Sequence, residues 1–169
     1  MILSVENAKS HMRILHDDED VLIASYILAA ENYAEIYMNQ VLESADFEVR
    51  LPCVQNGFAF PKQPVSEIVK VEVMAQDGNY EILPTDNYRF YDDFGVKKLH
   101  IEVASHKAHH EAIKITFKAG FEDTKLPATV LQWIKCAVSE LYENRELDES
   151  KFLKSFAMHL LKQHRLTLR

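Results

Sequence analysis

A chain of 169 residues, 47% hydrophobic and 27% charged, has the apolar content of a packed globular protein and too much of it for a disordered one. Its formal net charge of −7 argues against a general nucleic-acid binder, which needs Lys and Arg clustered against phosphates. The two cysteines, Cys53 and Cys136, form neither a disulfide framework nor a CxxC metal site, the pattern expected in a reducing cytosol.

The first part of the chain, residues 1–44, is predicted to be helical. Its opening, MILSVENAKSHMR, lacks the basic start and apolar run of a signal peptide, and no stretch approaches the about 18 apolar residues of a membrane span. Ser4 is placed to cap a short helix, VENAKSHMRI. LHDDED (15–20) then turns the chain. Asp17 is the expected N-cap of a second helix, with Asp18, Glu19 and Asp20 in a first turn whose dipole favours negative charge. The acidic run therefore reads as a helix start rather than a cation site. The second helix, 18–43, would span about 39 Å. Ile23, Ile27, Ala30, Ala34, Tyr37 and Val41 form one stripe, widened by Tyr26, Tyr33 and Met38. Val21, Leu28 and Leu42 fall outside it. A helix apolar on more than one side is central in its domain or shared with another subunit. With few other helices available to cover it, a subunit contact is expected.

Residues 45–119 read as β. FEVRL (47–51), LHIEV (99–103) and IKITF (113–117) alternate, and VSEIVKVEVMA (65–75) sets Val69, Val71, Val73 and Ala75 opposite Lys70 and Glu72. Asp77-Gly78 and DDFG (92–95) mark turns, and Tyr80, Ile82, Tyr88 and Phe90 continue the sheet. Half-polar strands of this kind suit an antiparallel sheet with one wet face. The proline-bracketed loop LPCVQNGFAFPKQP (51–64) is expected to resist regular pairing, with Phe58 and Phe60 tucked beneath the sheet.

Residues 120–169 return to helix. Pro127 suits a first turn, and Val130, Ile134, Ala137, Val138 and Leu141 form a stripe flanked by Leu131, Trp133 and Tyr142. After Asp148, ESKFLKSFAMHLLKQH repeats Phe152, Phe156, His159 and Leu160 at helical spacing. The intervening SELYENRE (139–146) holds carboxylates beside an arginine, as general acid–base chemistry requires. On a helix, however, Glu140, Glu143 and Glu146 face away from the apolar stripe, where nothing perturbs a carboxylate. Arg145 projects on the apolar side and is expected to form a structural ion pair. His100, His106, His109 and His110 invite a zinc site, but His109 and His110 point to opposite faces of an extended backbone, and no HExxH or cysteine pair joins them. No GxSxG, P-loop or GxGxxG is present. The most basic places, Lys97-Lys98 and the terminal KQHRLTLR, lack interleaved aromatics.

Two long blocks in order carry a family resemblance. SVENAKSHMRILHDDEDVLIASYILAAENYAEIYM combines a helix containing AKxHxR, an acidic turn and a long Ala- and Tyr-rich helix. IKITFKAGFEDTKLPATVLQWIKCAVSELYENRE runs a strand into an Ala-Gly-aromatic turn, then a proline-opened helix ending in LYENRE. The chain thus resembles the head–tail connector (adaptor) proteins of long-tailed bacteriophages and prophages. The resemblance implies an α+β chain. In it, an N-terminal helical pair and C-terminal helices pack together and a small antiparallel sheet is inserted in the middle, all within one domain spanning residues 1–169. It implies a non-enzymatic virion protein at the head–tail junction, made in the host bacterial cytoplasm, with no cofactor and no metal. The expected partners are further copies in a ring of around a dozen, the portal protein, and a downstream tail-completion or stopper protein. DNA would pass through the lumen without specific binding, and acidic walls would keep it from sticking. The basic tail, with Arg165, Leu166, Leu168 and Arg169, is the expected portal-facing element. The alternatives are a metal-dependent hydrolase using the histidine region and nearby acids, or a DNA-packaging accessory factor that binds DNA.

Overall fold

Among the 169 residues of the computed structural model, 1–53, 56–75, 77–101, 112–122, 125–144 and 156–167 are described. They fall into two units: Met1–Glu43 with Phe121–Leu166, and Ser44–Gly120 with Thr167–Arg169.

The first unit is helical: α1 (Val5–Met12), α2 (Asp20–Met38), α3 (Ala128–Asn144) and α4 (Phe156–Lys162). Ser4 caps α1 as expected, its hydroxyl accepting from the Asn7 N–H at 3.3 Å. Arg13 closes that helix in the left-handed region, φ 60°. Asp17 is not the N-cap of α2. That position belongs to Glu19, whose side chain makes no capping bond. The Asp17 carboxylate instead accepts from the Lys9 ammonium at 2.5 Å, and the Asp20 carboxylate does so at 2.7 Å. Lys9 is 8% exposed, and a buried cation needs carboxylate partners more than a helix end needs its cap. α2 also stops earlier than its apolar pattern predicts. Asn39 adopts φ 55°, donating its N–H to the Glu35 carbonyl in an αL cap, so Val41 and Leu42 lie beyond the helix. Leu42 is therefore not on an outer face but buried, with its N–H donated to Glu35 Oε1 at 2.8 Å.

The core of this unit joins Ile23, Ile27, Ala30, Ala34 and Met38 of α2 to Val130, Trp133, Ile134, Ala137 and Val138 of α3. Tyr33 stacks on Trp133, centroids 5.6 Å apart, so a residue placed at the margin of the α3 stripe is at its centre. α4 buries Met158 and Leu161, whereas His159 is exposed, a different face from the one its aromatic spacing predicts. Glu31 holds the start of the chain, its Oε1 accepting from the Ile2 N–H at 2.7 Å and the Leu3 N–H at 3.0 Å.

The second unit is β: β1 (Ala45–Leu51), β2 (Phe58–Ala59), β3 (Val65–Met74), β4 (Tyr80–Ile82), β5 (Tyr88–Asp93), β6 (Val96–Ile101) and β7 (Ile113–Ala119). The helix–sheet–helix order of an α+β chain is as expected, but the strands form two antiparallel sheets, not one. They are ordered β1-β7-β3-β4 and β2-β6-β5. The second is a hairpin of β5 and β6, to which the 51–64 loop adds a short strand, Phe58 and Ala59 pairing with Leu99 and Lys98. Phe60 is fully buried as predicted and packs on Phe117, centroids 4.7 Å apart. Gln63, also fully buried, joins the strands of both sheets. Its Nε2 donates to the Phe60 and Lys97 carbonyls, both at 3.2 Å, and its Oε1 accepts from the Val65 and Lys97 N–H groups. β1 and β7 alternate as predicted. In β3, a register shift between Ile68 and Lys70 leaves Val69 half-exposed while Val71 and Val73 stay buried.

Candidate subunit interface

α2 is apolar on two faces. At 100° per residue its buried stripe leaves Val21, Ser25, Leu28, Ala29, Asn32 and Ile36 on the opposite side, and all six are exposed. Val21 is 87% exposed, Ile36 78% and Leu28 51%, and Leu15, in the preceding turn, is 97% exposed. The sequence singled out Val21 and Leu28. Ile36 was missed, although it lies fifteen residues from Val21, a spacing that returns to the same side of a helix. Val21, Leu28 and Ile36 thus give α2 a second, exposed apolar face.

The acidic turn before α2 is engaged locally. Hydrogen bonds from the Lys9 ammonium to the Asp17 and Asp20 carboxylates raise the Lys9 pKa, and the ammonium in turn lowers that of Asp17. The Tyr142 hydroxyl donates to Glu19. These contacts tie the entry of α2 to α1 and α3, so its outer face sits on a fixed frame.

The β5–β6 hairpin offers a second exposed apolar feature. Asp93 pairs with Val96, so Phe94 and Gly95 form a two-residue loop with φ 52° and 82°. Phe94 is 99% exposed. The sequence gives the turn through Asp-Asp-Phe-Gly but not the environment of its aromatic residue.

The C-terminal segment is anchored at the end of α2. The Leu166 N–H donates to the Met38 carbonyl at 2.9 Å, and Asn39 Nδ2 donates to the Leu166 carbonyl at 2.8 Å. Gln40 donates to the His164 carbonyl, and the Arg165 guanidinium lies over the Tyr37 ring at 5.3 Å. Of the expected portal-facing residues, then, Arg165 is exposed and Leu166 is held by its backbone. Leu168 and Arg169 lie outside the described residues. Arg145, expected in an ion pair, also lies outside them, as do Glu146, His106, His109 and His110. His100 is half-buried on β6, opposite Arg89. Glu140 and Glu143 are exposed, as the helical wheel requires. Among the described residues no three His, Cys, Asp or Glu side chains are grouped to hold a metal ion.

Comparison with known proteins bears on the family and the fold. Residues 2–80 match the profile of the family described as phage gp6-like head-tail connector protein. That stretch of the chain is similar to the phage head–tail connector family. The match bears out the resemblance carried by the opening block; the closing block lies beyond it. Solved structures extend the fold likeness to nearly the whole chain. A chain from the virion of a native gene transfer agent particle aligns with TM-score 0.79 at 22% identity, covering 99% of this chain and 91% of that one. Two others come from the neck of an empty gene transfer agent particle computed with C6 symmetry and the neck of a native particle computed with C12 symmetry. They align with TM-scores of 0.76 and 0.75, both at 20% identity and over 99% of this chain, covering 91% and 90% of those chains. No curated protein matches the sequence.

Proposed function

We propose that the protein is a structural, non-catalytic virion subunit. In this reading it closes into a ring of about a dozen copies at the head–tail junction, sits under the portal, extends the DNA channel, and presents a platform to the next tail-completion protein. The observation that carries the reading is the outer face of α2. It exposes Val21, Leu28 and Ile36 on a chain whose fold is shared with proteins of a neck computed with C12 symmetry. A closed ring supplies each copy with a neighbour on both sides, so every exposed face of this kind is covered. The net charge of −7 suits a channel wall past which DNA slides without adhering.

The basic tail is the proposed contact with the portal. Because His164 and Leu166 brace the end of α2, the clean truncation removes only residues 167–169. The test adds the protein to portal rings encoded by the same genome and images the products by electron microscopy. The proposal expects a second ring stacked on the portal, lost in the truncated variant while that variant still closes rings alone. Portals that remain bare with the full chain would refute the junction role. Truncated rings that still dock would refute the role of residues 167–169.

A further inference from the structure

We infer that the β5–β6 hairpin is a docking finger between copies, with Phe94 of one copy seated in the cavity formed by Met1, Ile2, Leu42, Phe121 and Leu126 of the next. This rests on the ring reading and adds to it the knob and the hole that give each contact its direction.

The finger is stiff. Asp92 Oδ1 accepts from the Gly95 N–H at 2.8 Å across the turn. Lys97 pairs with Asp92 at 3.8 Å and Lys98 pairs with Asp93, closing the two strands just behind the tip. None of these contacts requires a phenylalanine. The positive φ values at Phe94 and Gly95 are those of a type I′ turn, whose first central position favours Asn, Asp or Gly. A bulky side chain with φ 52° is an outlier on steric grounds, and Phe94 compounds this by leaving its ring almost wholly in water. It is the most exposed large hydrophobic residue among those described. A residue that is unfavourable both for its backbone and for its solvent exposure has its favourable contact outside its own chain.

The same chain supplies a receptor. The cavity has a volume of about 220 Å³ and opens to the surface. That exceeds the volume of about 150 Å³ that takes up benzene, so there is room for a benzyl side chain against Ile2, Leu42, Phe121 and Leu126, in a cavity whose lining is otherwise polar. Two glutamates also line it, and both are compensated: Glu43 pairs with the Met1 ammonium at 2.7 Å and Glu122 with Lys125 at 2.9 Å. The finger behind Phe94 carries two aspartates and two lysines, already paired, so neither surface repels the other. A closed ring needs two different patches on each copy that fit one another, and the knob and the hole meet that need. Duplex DNA is a poor partner for this tip, because it offers no apolar cavity for the Phe94 ring.

The test replaces Phe94 with the photo-crosslinker p-benzoylphenylalanine in assembled rings, with crosslinked peptides mapped by mass spectrometry. The inference expects bonds between copies to peptides containing Met1–Ile2, Leu42 or Phe121–Leu126. Crosslinks to another part of the neighbour, to another neck protein or to DNA, or none in rings that do form, would overturn it while leaving the ring intact. Failure of the unmodified chain to form rings at all would overturn the ring reading as well. In parallel, Phe94→Asp and the cavity-filling Leu126→Trp should each raise the concentration at which rings form by tenfold or more. Unchanged thresholds in both variants would also overturn the inference.

Discussion

Ile36→Ser separates assembly from folding. The side chain is 78% exposed on α2, opposite the buried stripe. Full burial of an isoleucine stabilises by about 1.5–3 kcal/mol, so covering what remains exposed would contribute about 1–2 kcal/mol at each contact. A closed ring has as many contacts as copies, so each copy loses that amount once, and about 1.4 kcal/mol corresponds to tenfold in association. Serine at this position should therefore raise the threshold for ring formation about tenfold. Stability of the isolated chain should move by no more than about 0.5 kcal/mol, as for other surface changes. Ile27, fully buried on the inner face of the same helix, is the control: Ile27→Ala should cost about 2–5 kcal/mol in urea unfolding. The assay is light scattering coupled to gel filtration over a concentration series, with urea melts alongside. A folded Ile36→Ser chain that assembles at the same concentration as the parent would show that α2 does not present its outer face to a neighbour.

Gln63→Leu should cost about 3 kcal/mol in urea unfolding, because it orphans the buried carbonyls and N–H groups that Gln63 now satisfies; a loss under about 1 kcal/mol would mean those groups find other partners. Glu72 lies 2.8 Å from Lys114 and 3.0 Å from Lys70, and these ammoniums, Lys114 foremost, hold its carboxyl below its ordinary value against the opposing effect of burial. The folded state thus binds fewer protons than the unfolded chain, and the contribution is complete above the ordinary carboxyl pKa of about 4.3 and lost as pH falls through the depressed value. Glu72→Gln should flatten the fall of stability with acid below about pH 4.3, as read by thermal melts across pH; an identical acid limb would rule out the ion pairs as its cause. Phe94→Asn should stabilise the isolated chain by about 1 kcal/mol by relieving the left-handed strain, raising Tm by a few degrees, while weakening ring assembly. A variant that is both less stable and equally assembled would contradict the strain argument and the docking finger together.

Much of the architecture was legible because local chemistry and burial agree. The Ser4 cap, the alternating β1 and β7, the Asp-Gly and Asp-Asp-Phe-Gly turns and the α3 stripe each follow from a few neighbouring residues. What escaped the sequence depends on competition between distant groups. Asp17 lost its capping role to a lysine eight positions earlier, and α2 ended where Asn39 adopts a left-handed conformation although apolar residues continue beyond it. The second sheet is a β5–β6 hairpin that pairs with no strand of the first, and its third strand, Phe58 and Ala59, comes from inside a loop marked by prolines. On α2, the excess of apolar residues was readable from the sequence. Which of them point outward was only partly so, since the placement of Leu42 depends on where the helix ends. Periodicity says nothing about a side chain in a turn, so Phe94 passed as punctuation.

The most direct test of the central claim is the mass of the assembled particle by native mass spectrometry, over a range of concentrations and with portal rings present. The account predicts a closed species of about twelve copies of the 19.5 kDa chain, free or bound to the portal. A monomer or dimer at every concentration, indifferent to the portal, would contradict it.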